Sequence, residues 1–287
     1  MVSTDTTTPD PADSPAWDET LLKNPHAVSD KRSRVQRMFA AIAPSYDLNN
    51  RLHSLWMDQL WRKKAVNLAQ VKPDDTILDV ACGTGDLTEQ FYFEVSERDR
   101  KVVTPRPRQV VGLDFTVEML QIARRKFTTI TQTWSHQYST EVNPNSSDVP
   151  YINGDAQSLP LPDEFCDVVS IAFGIRNVAD PAIAIREFYR VLRPGGRLVI
   201  LEFSLPTQPV LRGLYNFYFR KILPRTATLI SGDKTGAYKY LPESVNTFIG
   251  RDQMTQMMHD AGFAEVKQFP MTFGVCVCYR GIKSKLT

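Results

Sequence analysis

The sequence predicts an α/β fold in which a doubly wound, largely parallel sheet carries helices on both faces. Three observations carry this expectation. Residues 76–86, TILDVACGTGD, run from a short apolar stretch into a glycine turn, and helix-like residues 87–93 follow. That is the pattern of a buried parallel strand, a tight turn and a helix N-terminus. Residues 109–115, QVVGLDF, form a second apolar run ending at Asp114 and Phe115. From there strand-like and helix-like segments alternate as far as residue 203, which argues for right-handed crossovers between parallel strands.

Composition sets the outer limits. A chain of 287 residues with 42% hydrophobic content can bury one sizeable core. A net charge of +2 gives no indication of a nucleic-acid partner. No apolar run is long enough to span a bilayer. The start of the sequence, MVSTDTTTPDPADSPAWDE, lacks the basic start and apolar middle of a secretory signal, so a cytoplasmic location is expected. Cys82, Cys166, Cys276 and Cys278 form no C-x-x-C pair and sit in apolar contexts. They read as reduced buried thiols rather than disulfides or zinc ligands, and no metal site is expected.

Residues 1–30 are rich in Thr, Asp, Pro and Ser and read as a disordered tail. The remainder, 31–287, reads as a single domain. Val35, Met38, Phe39, Ile42 and Ala43 recur at helical spacing, residues 44–47 break that helix, and Leu52, Leu55, Trp56, Leu60, Trp61, Ala65 and Leu68 form a second stripe. A helical pair before the first strand, residues 31–70, is placed to fold as a lid over the carboxyl ends of the strands, where ligands of open sheets lie. Trp56 and Trp61 serve either that lid or the core.

The glycine turn has neither the Lys-Ser/Thr ending of a P-loop nor the G-x-G-x-x-G of a dinucleotide site. Gly83 and Gly85 permit a sharp turn and a close approach of ligand to backbone. Asp79 and Asp86 would repel a pyrophosphate, yet suit a ligand with a cationic ammonium. Asp114, at the end of strand two, is placed to accept from both hydroxyls of an unphosphorylated ribose. This constellation fits S-adenosylmethionine better than a nicotinamide dinucleotide. The alternative is a purely structural turn.

Downstream, residues 116–126 read as a helix capped by Thr116. The polar residues 128–148 read as a long loop or an insertion, and 94–108 as a basic insertion with Arg98, Arg100, Lys101, Arg106 and Arg108 on a solvated face or against anionic lipid. Strand three, 149–153, leads to Asp155 and Ala156, placed to meet an adenine amine and ring. Strand four, 165–173, empties into Gly174-Ile175-Arg176-Asn177, and Asp180 and Pro181 open a helix over 182–192 that ends at Pro194-Gly195-Gly196. Strand five is expected over 197–203, a helix over 251–261, and closing strands over 265–269 and 273–279.

Several of these stretches resemble the UbiE/MenG family of S-adenosylmethionine-dependent C-methyltransferases of quinone biosynthesis. They are residues 38–50, 78–88, 154–167, 173–180, 189–206 and 238–245, with FGIRN, YDxxN and YxYLxES the most specific. The resemblance spans roughly 31–283. It implies a class I S-adenosylmethionine-dependent methyltransferase: a Rossmann-like, doubly wound, seven-stranded sheet with an antiparallel last strand and an N-terminal helical lid. It also implies cofactor contacts at Thr84, Asp114, Asp155 and Ala156. This sequence departs from the family where Ala172 replaces a frequent Ser, where Asp58 and Arg62 replace the His and Lys of HxxWK, and where Asn49 replaces the Met of YDxMN.

The candidate cofactor-binding residues are therefore Asp79, Gly83, Thr84, Gly85, Asp114, Phe115, Asp155 and Ala156. Methylating a ring carbon needs a quinol close to its phenolate form, and Arg176, just past strand four, is placed to stabilise that charge. Its alternative is a salt bridge to Asp180 or Glu202 that ties down the loop. Tyr46 contacts cofactor or quinol, or simply packs. Residues 207–245 form a segment a minimal methyltransferase would lack. Within it the aromatic and basic stretch 210–230 suits a lipid-tail groove, a peripheral membrane contact or a homodimer face. The expected substrate is a prenylated quinol, from the menaquinone or the ubiquinone pathway. Another small aromatic or lipid acceptor, and a non-catalytic scaffold, are the alternatives.

Overall fold

The computed structural model describes residues 15–99, 109–138 and 149–284. Its helices are α1 (Lys31–Ile42), α2 (Tyr46–Ser54), α3 (Met57–Ala69), α4 (Asp86–Asp99), α5 (Val117–Tyr138), α6 (Pro181–Val191), α7 (Pro209–Phe217), α8 (Leu223–Ser231), α9 (Ala237–Thr247) and α10 (Arg251–Asp260). The strands are β1 (Thr76–Val80), β2 (Gln109–Asp114), β3 (Tyr151–Asn153), β4 (Cys166–Ala172), β5 (Leu192–Phe203), β6 (Phe263–Met271) and β7 (Cys276–Lys283).

The strands form one sheet in the order β3-β2-β1-β4-β5-β7-β6. Strands β1 to β5 run parallel, and β7 inserts antiparallel between β5 and β6. Buried on both faces, β1 and β4 are largely apolar, interrupted by Asp79 in the first and by Asp167 and Ser170 in the second. Each face has its own apolar cluster, one around Phe188 and Ile185 of α6, the other around Trp61 of α3 and Phe91 of α4. Helix α6 shows how local sequence fixes an element. Asp180 caps it by accepting from the amides of Ala182 and Ile183, Pro181 fills the first turn, and Ala184, Ile185, Phe188 and Val191 bury one stripe. The order reverses between β1 and β4, so the crevice at their carboxyl ends is where a ligand belongs.

Four expectations need correction. The tail read as disordered to residue 30 packs from Ala16 onward. Trp17 is buried, stacks on Tyr240 with ring centroids 4.4 Å apart, and its amide donates to Thr235 O at 3.1 Å. Ala16 and Leu22 join Trp17 in an apolar cluster, and this scattered apolar burial is averaged away in the composition of a polar segment. The polar loop expected over 128–148 instead continues α5 to Tyr138. The Thr128, Thr129, Thr131 and Thr133 hydroxyls donate to carbonyls four residues back, so these polar side chains are satisfied within the helix itself. The basic insertion begins as the last turns of α4, and the side chains of Arg98 to Arg108 lie outside the described residues. Finally, the second lid helix divides at Leu55 and Trp56, two consecutive left-handed residues (φ 51° and 62°) with exposed side chains.

Helices α1 and α2 gather with the π-helical turn 218–222, α8 and α9 into a third apolar cluster that includes Trp17, Met38, Ile42, Phe219 and Tyr240. This layer covers the carboxyl end of the sheet.

Candidate active site

Two adjoining cavities lie under that layer. The first is a crevice of about 780 Å³, open mouth included, between the β1, β2 and β4 turns and α1. Gly83, Asp114, Phe115, Asp155 and Ala156 line it, as the sequence predicts, and Tyr46 closes one side. Asp114 is fixed at its floor. One carboxylate oxygen accepts from Gly83 N at 2.8 Å and the other from Thr116 N at 2.7 Å. Each oxygen keeps a lone pair for a further donor such as a ribose hydroxyl. Burial raises its pKa. Gly83 is left-handed (φ 56°), and a Cβ there would meet no atom of the protein, so ligand can approach its backbone. Asp155 accepts from Gln157 N at 2.9 Å and pairs with Arg32 at 3.2 Å, and the Arg32 guanidinium lies 4.6 Å over the Phe115 ring. An aromatic ring, a buried carboxylate and a bare glycine backbone fit the adenine, ribose and amino-acid portion of S-adenosylmethionine.

The other expected cofactor residues do not face this crevice. Asp79 is buried between Thr88 Oγ1 (2.6 Å) and Ser170 Oγ (2.7 Å), which tie β1 to α4 and β4. Burial pushes its pKa up to about 6. Gly85 is needed for packing: at φ 87° a Cβ would come within 3.0 Å of Tyr151 OH and 3.2 Å of Ala123 Cβ. Thr84 turns its hydroxyl to Asp47 of α2, 2.5 Å away.

Asp86, expected to face a cationic ligand, is neutralised by the protein itself. Arg51 of α2 grips both its oxygens at 2.8 and 2.9 Å, and Lys126 of α5 bridges Asp86 and Asp47, each at 2.7 Å. Arg51 and Arg62 also bind Asp58 at 2.8 and 2.9 Å. Burial works to raise the Asp86 carboxyl, and the charges of Arg62, Lys126 and Arg51 overrule it, holding it well below the usual carboxylate range. The acids at the glycine turn therefore fasten the helical layer to the sheet. Sequence reasoning missed this network, although Asp58 and Arg62 were already visible as departures from the family pattern.

The second cavity, about 890 Å³ with its mouth, is walled mainly by aromatic side chains, among them Trp61, Phe203, Tyr215 and Phe219. It shares Phe39, Tyr46 and Phe173 with the crevice. Arg176 lines it at the end of β4. Its guanidinium donates through Nη1 to Glu202 at 2.6 Å and to Phe173 O at 2.7 Å, while the buried Nε has no partner. Of the two salt bridges weighed for it, the one to Glu202 forms, and Asp180 instead caps α6. Tyr215 OH is a second buried polar atom without a partner in this wall.

A seven-stranded sheet of this order, with an acid-floored crevice beside an aromatic cavity, defines an S-adenosylmethionine-dependent methyltransferase of the class I fold. The chain belongs to the ubiE/COQ5 methyltransferase family, whose sequence profile matches residues 27–283. It is 40% identical over 258 residues to the ubiquinone/menaquinone biosynthesis C-methyltransferase UbiE of Geobacter sp. (strain M21), covering 90% of this chain and 100% of that one. It is 43% identical over 244 residues to the demethylmenaquinone methyltransferase of Thermus thermophilus, covering 85% and 99%. Among solved structures, a Thermotoga maritima methyltransferase described as a possible histamine N-methyltransferase matches with a TM-score of 0.54 at 19% identity, covering 87% of this chain and all of that one. The last likeness speaks to fold alone.

Proposed function

We propose that this protein methylates a ring carbon of a demethylated prenyl quinol, demethylmenaquinol ahead of the ubiquinone precursor. The observation that carries this reading is the common wall. A methyl donor in the crevice and an aromatic acceptor in the apolar cavity would meet at Phe39, Tyr46 and Phe173. The names of relatives such as the Thermus thermophilus demethylmenaquinone methyltransferase support the choice of quinol.

S-adenosylmethionine supplies an electrophilic methyl on a sulfonium. The protein's own part is to hold the acceptor ring against it and to raise the ring's electron density. The unpartnered Nε of Arg176 gives the cavity a donor from a buried guanidinium, suited to a quinol oxygen as it becomes phenolate. Glu202 and Phe173 O fix that guanidinium, so little reorganisation is needed during transfer. Burial keeps Tyr46 un-ionised by raising its pKa, so it acts in the wall as a neutral ring. The ring proton is lost to solvent as the methylated ring regains its aromaticity, and the donor leaves as the neutral thioether.

The prenyl tail leaves toward α7 and α8. Val210, Leu214 and Phe217 share one exposed face of α7 at helical spacing, Leu229 is exposed on α8, and Arg212, Lys221 and Arg225 flank them. The exposed Leu55–Trp56 corner adds to this face, because α2 is tied to α8 by His53 and Thr226 at 2.8 Å. Among the described residues no helix is long and apolar enough to cross a membrane. A peripheral contact with an anionic surface accords with this pattern.

Incubation with S-adenosylmethionine and chemically reduced demethylmenaquinone, followed by mass spectrometry, should show the gain of one methyl on carbon. Wild-type protein that binds the donor yet leaves every prenyl quinol unmethylated would refute the reading. For the membrane contact, flotation with anionic vesicles at low salt should carry the protein upward. Failure to float would refute it.

A further inference from the structure

We propose that Lys31 is a positioning residue for Arg176, acting through a relay that joins α1 and α9 to the turn carrying the guanidinium. The proposal rests on the role given to Arg176 above. Lys31 opens α1, far from Arg176 in sequence, and is 2% exposed. Its ammonium makes three hydrogen bonds, to Arg176 O at 2.9 Å, Val178 O at 2.6 Å and His26 Nδ1 at 3.2 Å. All three partners are uncharged acceptors, and all three N–H groups are used.

The relay has one consistent protonation. An ammonium only donates, so His26 Nδ1 accepts, and Nε2 carries the hydrogen that it donates to Ser244 O of α9 at 2.8 Å. His26 must then be neutral. Burial, with the nearby charges of Lys31 and Arg176, pulls its pKa down to about 4. Burial and the Arg176 charge lower that of Lys31 to about 8, so the ammonium persists at neutral pH.

A buried ammonium without a carboxylate is costly, and its position explains what it does. Ile175–Asn177 is a single 3-10 turn, whose last carbonyls have no helical partner. Lys31 satisfies the Arg176 carbonyl of the turn and that of Val178, the residue that caps it. On the other side of the turn, Tyr240 OH donates to Asn177 Oδ1 at 2.9 Å, and Glu202 accepts from Arg176. Glu202 fixes the guanidinium end, and Lys31 fixes the backbone from which the side chain springs. A methionine could fill the volume of Lys31 but would release both carbonyls.

Two readouts test this separately. In protein labelled with 15N-arginine, Lys31→Met should shift the Arg176 Nε–H resonance, identified by its loss in Arg176→Ala, while leaving affinity for S-adenosylmethionine within about twofold. This needs no acceptor, so it stands apart from the quinol assignment. With reduced demethylmenaquinone, kcat should fall about tenfold or more, as displaced catalytic groups do, and Lys31→Arg should recover part of the loss. Placed on Arg176→Ala, Lys31→Met should cost nothing further. If Lys31→Met does not fold, His26→Leu keeps the ammonium and should give a smaller loss of the same kind. An unmoved Arg176 resonance, or the same fractional loss with and without Arg176, overturns the proposal. A shifted resonance in an enzyme that never methylates a quinol leaves positioning intact and sinks the substrate assignment instead.

Discussion

The Arg176–Glu202 pair allows stability and turnover to be pulled apart. Both side chains are buried, 6% and 2% exposed, at 2.6 Å. Arg176→Met would leave the Glu202 carboxylate buried and unpaired, and Glu202→Met would do the same to the guanidinium. Each single change should cost about 3 kcal/mol of unfolding free energy. The double variant restores charge balance with apolar groups of similar volume, and what it still loses is local. Phe173 O loses the donor Nη1 but keeps Asn177 Nδ2 at 3.2 Å, whereas the amides of Phe203 and residue 176 lose the Glu202 carboxylate at 2.8 and 3.3 Å, at about 1 kcal/mol for each amide. The double variant should therefore lie about 2 kcal/mol below wild type, against about 6 for the two singles summed, a coupling of about 4 kcal/mol. Urea unfolding of the four proteins measures this. Single-turnover methylation should remain about a hundredfold or more below wild type in the double variant as in Arg176→Met. A double variant that recovers turnover along with stability would reduce Arg176 to a strut. One no more stable than the singles would mean that the buried charges were never uncompensated.

Three further outcomes follow from the site. Gly83→Ala should cost about 1 kcal/mol of stability for its left-handed backbone and weaken S-adenosylmethionine binding in calorimetry, whereas Gly85→Ala should lose more stability through its clash with Tyr151 and Ala123; equal loss of binding in the two would refute the separate roles. Lys126→Met removes the bridge between Asp47 and Asp86 and should speed donor release in stopped-flow measurements by loosening α2, and an unchanged off-rate would count against the fastening role. Asp79 has a folded pKa raised to about 6, so the folded state binds a proton more readily than the unfolded one. That contribution makes stability rise as pH falls from about 6 toward 4, and Asp79→Asn should flatten the melting temperature across that window.

The sheet and the order of its elements were legible because buried parallel strands are largely apolar runs, and the glycine turn marks where the first one ends. Asp114, Phe115, Asp155 and Ala156 were legible for the same reason: each lies at a recognisable strand end or within three residues of one. Asp79 and Asp86 were misassigned because sequence shows charges but not their partners. Arg51 and Lys126 meet Asp86 from 35 and 40 residues away, and nothing in the run Arg124-Arg125-Lys126 singles out the third cation as the one that turns inward. Lys31 was hidden in the same way, as one more cation in KRSR at the start of α1. Trp17 has no periodic companions, so its burial leaves no pattern to find.

These misreadings concern the coupling of the helical layer to the sheet. Tyr46 and Asp47 are consecutive on α2. The first stands in the wall between crevice and aromatic cavity, and the second binds Thr84 of the glycine turn and Lys126. Asp86 of the turn, through Arg51 and the Lys126 bridge to Asp47, therefore holds α2 in the register that puts Tyr46 between the two cavities. Arg51, one turn further along, grips Asp86 and reaches Asp58 of α3, whose partner Arg62 also lines the aromatic cavity. The charges of the glycine turn thus hold the wall shared by the two cavities. Under the proposed function that wall is where the sulfonium methyl and the ring carbon meet, so the same ion pairs would set the geometry of transfer.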